Sequence, residues 1–184
     1  LAGQPKVVEI GCGDGWASRI VAQAVGKLLA TDVNDTFITD AIERSDNHWN
    51  IEYRVHDILY GPIIPMVTGA FALDVLEHIP TADERTFLAN VIRSLVPHGV
   101  CVIGTPSIHS QAHASTLSRA GHVNCKTAEG LIALLRDYFQ YVFLFGMNDE
   151  VLHTGFAPMT QYFLALCAEP QYGLTERYSY AIRS

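Results

Sequence analysis

Val7-Val8-Glu9-Ile10-Gly11-Cys12-Gly13-Asp14-Gly15 is the stretch from which the fold is read. Val7 to Ile10 read as a short buried strand. The three glycines that follow permit a tight turn and a close approach of the backbone to a ligand. Trp16 to Ala22 then opens a helix directly after the turn. Strand, glycine turn and helix N-terminus in immediate succession make a nucleotide-type site, because unpaired amide groups point outward there.

The spacing narrows the ligand. Dinucleotide loops read G-x-G-x-x-G, and the third glycine lets helix and strand pack closely. Here the glycines stand at 11, 13 and 15, and Trp16 takes the place of the last one in that fingerprint. Glu9 precedes the turn. Its charge would repel a pyrophosphate but suits a cationic ligand group such as an α-ammonium or a sulfonium.

The chain has 184 residues, 49% apolar and 17% charged. That fits one domain over residues 1–184, with a sheet buried on both faces by helices. The uncharged stretch Gly61 to Leu73 is broken by Pro62 and Pro65, and no transmembrane helix is expected. No signal peptide is visible. The net charge is −7, and the 12 lysines and arginines are scattered. Binding a nucleic-acid backbone needs clustered cations, so nucleic acid is not an expected partner. Cys12, Cys101, Cys125 and Cys167 form no C-x-x-C pair and read as reduced thiols of a cytoplasmic protein.

Taken in order, strand one covers Lys6 to Ile10, and the helix after the turn runs to about Ala24 before Gly26. Lys27 to Val33 is strand two. Asp32, 21 residues beyond Gly11 (32 − 11), is placed to accept both ribose hydroxyls of a nucleoside. Asp35 is assigned to the cap of the next helix, Thr36 to Arg44. Ile51 to Val55 alternates as strand three and ends in His56-Asp57-Ile58. Two prolines keep Tyr60 to Met66 from forming a crossover helix. Val67 to Leu73 is strand four, followed by Asp74-Val75-Leu76-Glu77-His78-Ile79-Pro80. Thr81 and Glu84 are spaced as a capping box for a helix carrying Phe87, Leu88, Val91, Ile92 and Leu95.

Leu95 to Gly99 reads as a turn and Val100 to Ile103 as strand five, closed by Gly104 to Ser107. Ser107 to Asn124 is polar, holds His109, His113 and His122, and is too long for a plain connection. Thr127 starts another helix. Tyr141 to Gly146 and Gln161 to Cys167 are strands six and seven, expected to pair antiparallel across the link Met147 to Thr160. Glu169 to Ser184 reads as a polar surface tail.

With five βα units and a closing hairpin, residues from about Lys6 to Ala168 resemble the class I S-adenosylmethionine (SAM) methyltransferases. The likeness is to the ubiquinone-biosynthesis O-methyltransferase type. It is carried by Glu9 to Gly15, by Leu73-Asp74-Val75-Leu76-Glu77-His78-Ile79, and by Leu95-Val96-Pro97-His98-Gly99 leading to Thr105-Pro106-Ser107. A second glycine is usual in place of His98. The resemblance implies a Rossmann-like, doubly wound α/β sheet of seven strands, mostly parallel with an antiparallel C-terminal hairpin. It implies SAM as cofactor and S-adenosylhomocysteine (SAH) as product. The cofactor residues it implies are Glu9, Gly11, Cys12, Gly13, Gly15, Asp32, Val33, Asp57, Ile58, Leu73 and Asp74. Among them Asp57 would take the adenine amino group, and Ile58 would lie against the ring. The family usually carries helices before strand one that cover the substrate. Only Leu1 to Pro5 precede it in this sequence, which implies an open acceptor site or a shortened chain.

Methyl transfer from a sulfonium is an in-line displacement with a neutral leaving group, so alignment is the main task, worth about 7–11 kcal/mol in well-oriented systems. An oxygen or nitrogen acceptor must also lose a proton, and a histidine near its ordinary pKa suits that step. His78 and His122 are the candidates, with His109 and His113 behind them. Asp74-x-x-Glu77-His78 with a later loop histidine also resembles the metal site of the small-RNA terminal methyltransferases. Glu77, His78 and His122 are therefore the metal candidates. The favoured reading has no metal, with Asp74 beside the cofactor and Glu77 as an acid at a helix start. The expected function is SAM-dependent methylation of a small-molecule acceptor, at oxygen in preference. The alternatives are an NAD-dependent oxidoreductase and a non-catalytic SAM-binding domain.

Overall fold

The computed structural model describes residues 1–45 and 50–173. Its elements follow the order β1 (Lys6–Ile10), α1 (Ser18–Ala22), β2 (Lys27–Asp32), α2 (Asp35–Glu43), β3 (Ile51–Val55), β4 (Val67–Leu73), α3 (Glu84–Ser94) and β5 (Leu95–Pro106). Then come α4 (Thr116–Gly121), α5 (Ala128–Arg136), β6 (Phe139–Asn148), β7 (Val151–His153) and β8 (Tyr162–Pro170). The strands form one sheet in the order β3-β2-β1-β4-β5-β8-β6-β7. Pairing is parallel from β3 to β5 and antiparallel from β5 through β8 and β6 to β7.

β1 lies inside the sheet between β2 and β4. Its consecutive valines Val7 and Val8 point to opposite faces, and both are fully buried. The run from Val7 to Ile10 is thus a strand covered on both sides. On one face Val8, Ile10, Ala70 and Ala72 pack with Phe87, Leu88, Val91 and Ile92 of α3 and with Leu131 and Leu135 of α5. On the other, Val7, Leu28 and Phe71 pack with Ala22 and Val25. Strand order reverses at β1, since β2 and β3 lie to one side of it and β4 and β5 to the other. Diverging connections open a crevice at the carboxyl ends of the strands there.

The structure departs from the sequence reading at several places. α1 is shorter than expected because the turn runs on past Gly15 (φ 73°) and the Trp16 amide donates to Asp14 Oδ1 at 3.3 Å. α2 is capped by Asn34, whose side chain accepts from the Thr36 amide, and Asp35 is the first helical residue. The capping box at α3 does not form. Thr81 donates instead to Asn124 Oδ1 (3.1 Å), while Glu84 accepts from Lys126 Nζ (2.6 Å) and Asn124 Nδ2 (3.0 Å). Both groups are drawn away to fasten a distant loop. β5 begins at Leu95 and passes through His98 at φ 64°, a left-handed backbone that favours glycine. This accounts physically for the glycine usual at that position. The sheet has eight strands rather than seven. The link expected between strands six and seven holds β7, which pairs Val151 to His153 with Asn148 to Gly146. The antiparallel pairing of the final long strands stands, with Tyr141 opposite Ala168. Of the expected tail, Glu169 and Pro170 extend β8, and residues 174–184 lie outside the described residues.

Candidate functional site

A cavity of about 520 Å³ opens at the strand-order reversal, at the carboxyl ends of β1 to β4. The glycine turn forms its floor. Gly11 and Gly13 adopt φ of 77° and 53° and both line it. A Cβ at Gly11 would come within 2.4 Å of Val75 Cγ2, so any side chain would push the turn off the end of β4. At Gly13 nothing lies within 4 Å, which leaves the backbone open to a ligand.

Three carboxylates stand in the wall. Asp32 Oδ2 accepts from the Gly13 amide (2.9 Å), and Oδ1 from the Asn34 amide (2.9 Å). One side chain thus fixes both the glycine turn and the end of β2. Asp57 accepts from the Leu59 amide at 2.8 Å and presents Ile58 beside it. Asp74 follows β4 directly with φ 56°. Val33 and His78 complete the expected lining. The structure adds Phe37, His56, Val75 and Ile79 to it. His56 and Val75 adjoin residues singled out in the sequence. Phe37 comes from the first turn of α2, where only the fold shows it facing the crevice.

Four expected cofactor residues lie elsewhere. Glu9 is buried beneath the turn, and its Oε2 accepts from Ser18 Oγ at 2.5 Å. Burial pushes its pKa up to about 7, against the opposing effect of the Ser18 bond and with the help of nearby Asp32. Its task is to hold α1 against the turn. Cys12 is buried, its thiol pushed up to about 12 chiefly by burial. Gly15 leaves room for Tyr53, whose hydroxyl oxygen would come 2.7 Å from a Cβ there. Leu73 lines a separate apolar cavity with Leu1, Ile20, Phe71, Val102 and Leu164 on the α1 face.

Glu9 gives a pH prediction. Its folded pKa of about 7 lies above the ordinary 4.5, so the folded state holds a proton that the unfolded state has lost across that window. Its contribution to stability is whole below about pH 4.5 and is lost as pH rises through about 7. Glu9→Gln is expected to flatten the decline of the thermal midpoint between about pH 5 and 8. An unchanged pH profile in that variant would show that the carboxyl is ionised throughout.

Beside the cavity a second group converges. Glu77, His78 and His122 offer donor atoms that all lie within 4.8 Å of one another. The two imidazoles meet edge to face with centroids 5.1 Å apart. His78 Nδ1 bonds the Gly121 carbonyl and His122 Nδ1 the Gln111 amide oxygen, both at 2.9 Å. Those oxygens only accept, so each Nδ1 carries the proton and each Nε2 keeps a lone pair. Glu77 lies in the first turn of a short 3-10 helix, Leu76–His78, as a helix-start acid would, but it is buried. It is 1% exposed, its Oε2 accepts from Thr105 Oγ1 (3.1 Å), and its Oε1 has no partner among the described residues. Burial, with Asp74 nearby, raises its pKa to about 7. Burial and His78 lower that of His122. Asp74 does not join this cluster. His109 and His113 stand on the preceding turn, Ile108–His113, outside it.

The segment carrying His122 is pinned at both ends. The Glu77 carbonyl accepts from the Val123 (2.8 Å) and Asn124 (3.0 Å) amides, and Ser107 bridges to Lys126. The Glu84–Lys126–Asn124–Thr81 network anchors the return. The bonds that tie this segment to Glu77, Thr81 and Glu84 carry no local signal in the sequence, because their partners stand 40 or more residues apart along the chain.

Together, the sheet order and the crevice built on a glycine turn define a class I SAM-dependent methyltransferase fold. The methyltransferase domain family matches residues 7–99, or 93 of 184 residues (99 − 6), and the chain belongs to that family. It is 28% identical over 127 residues to the mitochondrial ubiquinone biosynthesis O-methyltransferase of Schizosaccharomyces pombe, covering 64% of this chain and 44% of that protein. A probable S-adenosylmethionine-dependent methyltransferase of Mycolicibacterium smegmatis is 24% identical over 107 residues, 55% of this chain and 38% of that one. The chain thus spans less than half the length of these curated relatives. Among solved structures, the N-methyltransferase NodS of Bradyrhizobium japonicum in complex with SAH superposes with a TM-score of 0.68 at 24% identity. That match covers 92% of this chain and 80% of NodS.

Proposed function

We propose that this chain, as one domain, transfers a methyl group from SAM to a hydroxyl of a small-molecule acceptor. The observation that carries the reading is the cavity formed by Gly11, Gly13, Asp32, Asp57 and Asp74 at the strand-order reversal, with the Glu77–His78–His122 cluster at its rim. Asp32 takes the ribose hydroxyls, Asp57 the adenine amino group with Ile58 against the ring, and Asp74 the methionine end. The acceptor hydroxyl gives its proton to the lone pair on Nε2 of His78 or His122, with the buried Glu77 carboxyl beside them. The acceptor oxygen then attacks the methyl carbon as the carbon–sulfur bond breaks, and SAH leaves as a neutral thioether. Oxygen is favoured because a neutral hydroxyl is a weak nucleophile until a base takes its proton, whereas a neutral amine can attack before losing one. Free cysteines suit a reducing compartment such as the cytoplasm. Among the described residues no helix is long and apolar enough to cross a membrane.

A divalent metal at the cluster is a second reading, favoured by the unpartnered buried Oε1 of Glu77. The donor set fits, since histidines whose other nitrogen is held by a carbonyl are the usual form of metal ligands. Bound there, the ion would lower the pKa of an acceptor hydroxyl.

Calorimetric titration of the chain with SAM, SAH and NAD tests the proposal. Binding of the two adenosyl ligands and not NAD is expected. NAD binding alone would return the chain to the oxidoreductases. Binding of SAM without turnover on a panel of catechols, sugars and carboxylic acids would favour a non-catalytic domain.

A further inference from the structure

The cavity needs an acid for the cationic end of the cofactor, and three of the four acids around it are already committed. Glu9 lies beneath the turn on Ser18, Asp32 holds the Gly13 and Asn34 amides, and Asp57 holds Leu59. Asp74 remains, and it sits in a left-handed backbone conformation that side-chain-bearing residues adopt at a cost. Something must hold it there.

Tyr162 does so from two strands away. It opens β8, which pairs with β5, and β5 separates it from β4. Its ring reaches across β5 at Gly104, where a Cβ would come within 2.6 Å of the Tyr162 hydroxyl oxygen and 3.0 Å of Cε1. Only a glycine lets the ring lie there. The hydroxyl oxygen accepts from the Asp74 amide at 3.2 Å, an N–H that also reaches the Gly104 carbonyl (3.1 Å). Burial first, then the charges of Asp74 and Glu77 and an interaction with the Asp74 side chain, keep the phenol protonated well above its ordinary range.

We infer that Tyr162 is a positioning residue. By reaching over Gly104 it fixes Asp74 at the end of β4 so that its carboxylate meets the sulfonium and α-ammonium of SAM. The inference rests on the SAM reading above. It adds a residue that touches neither cofactor nor acceptor and acts through Asp74.

The test is calorimetry of SAM and SAH with Tyr162→Phe, Asp74→Asn and the double variant. A hydrogen bond to a charged group is at stake, so Tyr162→Phe is expected to weaken SAM by about tenfold. SAH, which lacks the sulfonium charge, should weaken less, so the SAM-to-SAH affinity ratio falls. In the Asp74→Asn background the tyrosine substitution should have no further effect, a coupling that a merely structural loss would not produce. Gly104→Ala keeps the hydroxyl but displaces the ring, and should lower the same ratio. An unchanged ratio in Tyr162→Phe and Gly104→Ala, or additive effects in the double variant, overturns the inference while leaving the SAM reading intact. A wild-type chain that binds neither SAM nor SAH overturns both.

Discussion

Asp32→Ala is expected to lower affinity for SAH by at least about a hundredfold. Each hydrogen bond from a ribose hydroxyl to a carboxylate contributes about 1.5 kcal/mol or more, and two of them account for that factor. The loss has a second source. Asp32 receives the Gly13 and Asn34 amides, both at 2.9 Å, so alanine also frees the glycine turn that the adenosyl group rests on. Asp32→Asn separates the two effects. One oxygen remains for the turn, while the charge and one acceptor are gone, so its affinity should fall between wild type and alanine. Isothermal titration with SAH measures all three proteins. An alanine variant within tenfold of wild type would remove Asp32 from the ribose site.

The second large effect is at Glu77. Glu77→Ala is expected to abolish binding of one Mn²⁺ per chain, read by electron paramagnetic resonance, while SAH affinity stays within about twofold of wild type, since Glu77 does not line the cofactor cavity. With an acceptor in hand, its turnover should fall by about 10²–10⁴, the usual contribution of acid–base catalysis. Glu77→Gln keeps the Thr105 hydrogen bond and much of the packing, so it guards against a loss that comes only from an empty space in the core. If the wild-type chain takes up no Mn²⁺ but turnover still falls, Glu77 supports the two histidines without a metal. Turnover unchanged in both variants would take the cluster out of the chemistry.

The sequence disclosed the parts of this fold that depend on neighbours along the chain. The run from Val7 to Ile10, Gly11, Gly13 and the acid at the end of β2 each carry a local pattern; the run forms β1, and the two glycines and Asp32 line the crevice, while Gly15 packs against Tyr53. Residue type did not reveal which way a side chain points. Glu9 and Asp32 are both acids at strand ends, yet Glu9 turns under the loop to Ser18 and Asp32 faces the crevice. The capping box failed for a related reason. Thr81 and Glu84 had the right spacing, but Asn124 and Lys126, brought in by tertiary structure, offered stronger partners. Glu77 has the helix-start position that its sequence context suggests, but nothing local marks its burial against Thr105. Tyr162 had no signal at all, since its role exists only once β8 lies against β5.

The fastening of residues 107–126 has an evolutionary side. Main-chain amides donating to the Glu77 carbonyl and the Glu84–Lys126 pair hold this segment, while Leu117 stands outward, 85% exposed. Anchorage and display are therefore divided between different residues. On the proposed reading, substitutions at the displayed positions would change the surface beside the reacting groups without loosening those groups, so a scaffold of this kind would diversify its clientele by small changes along a single stretch.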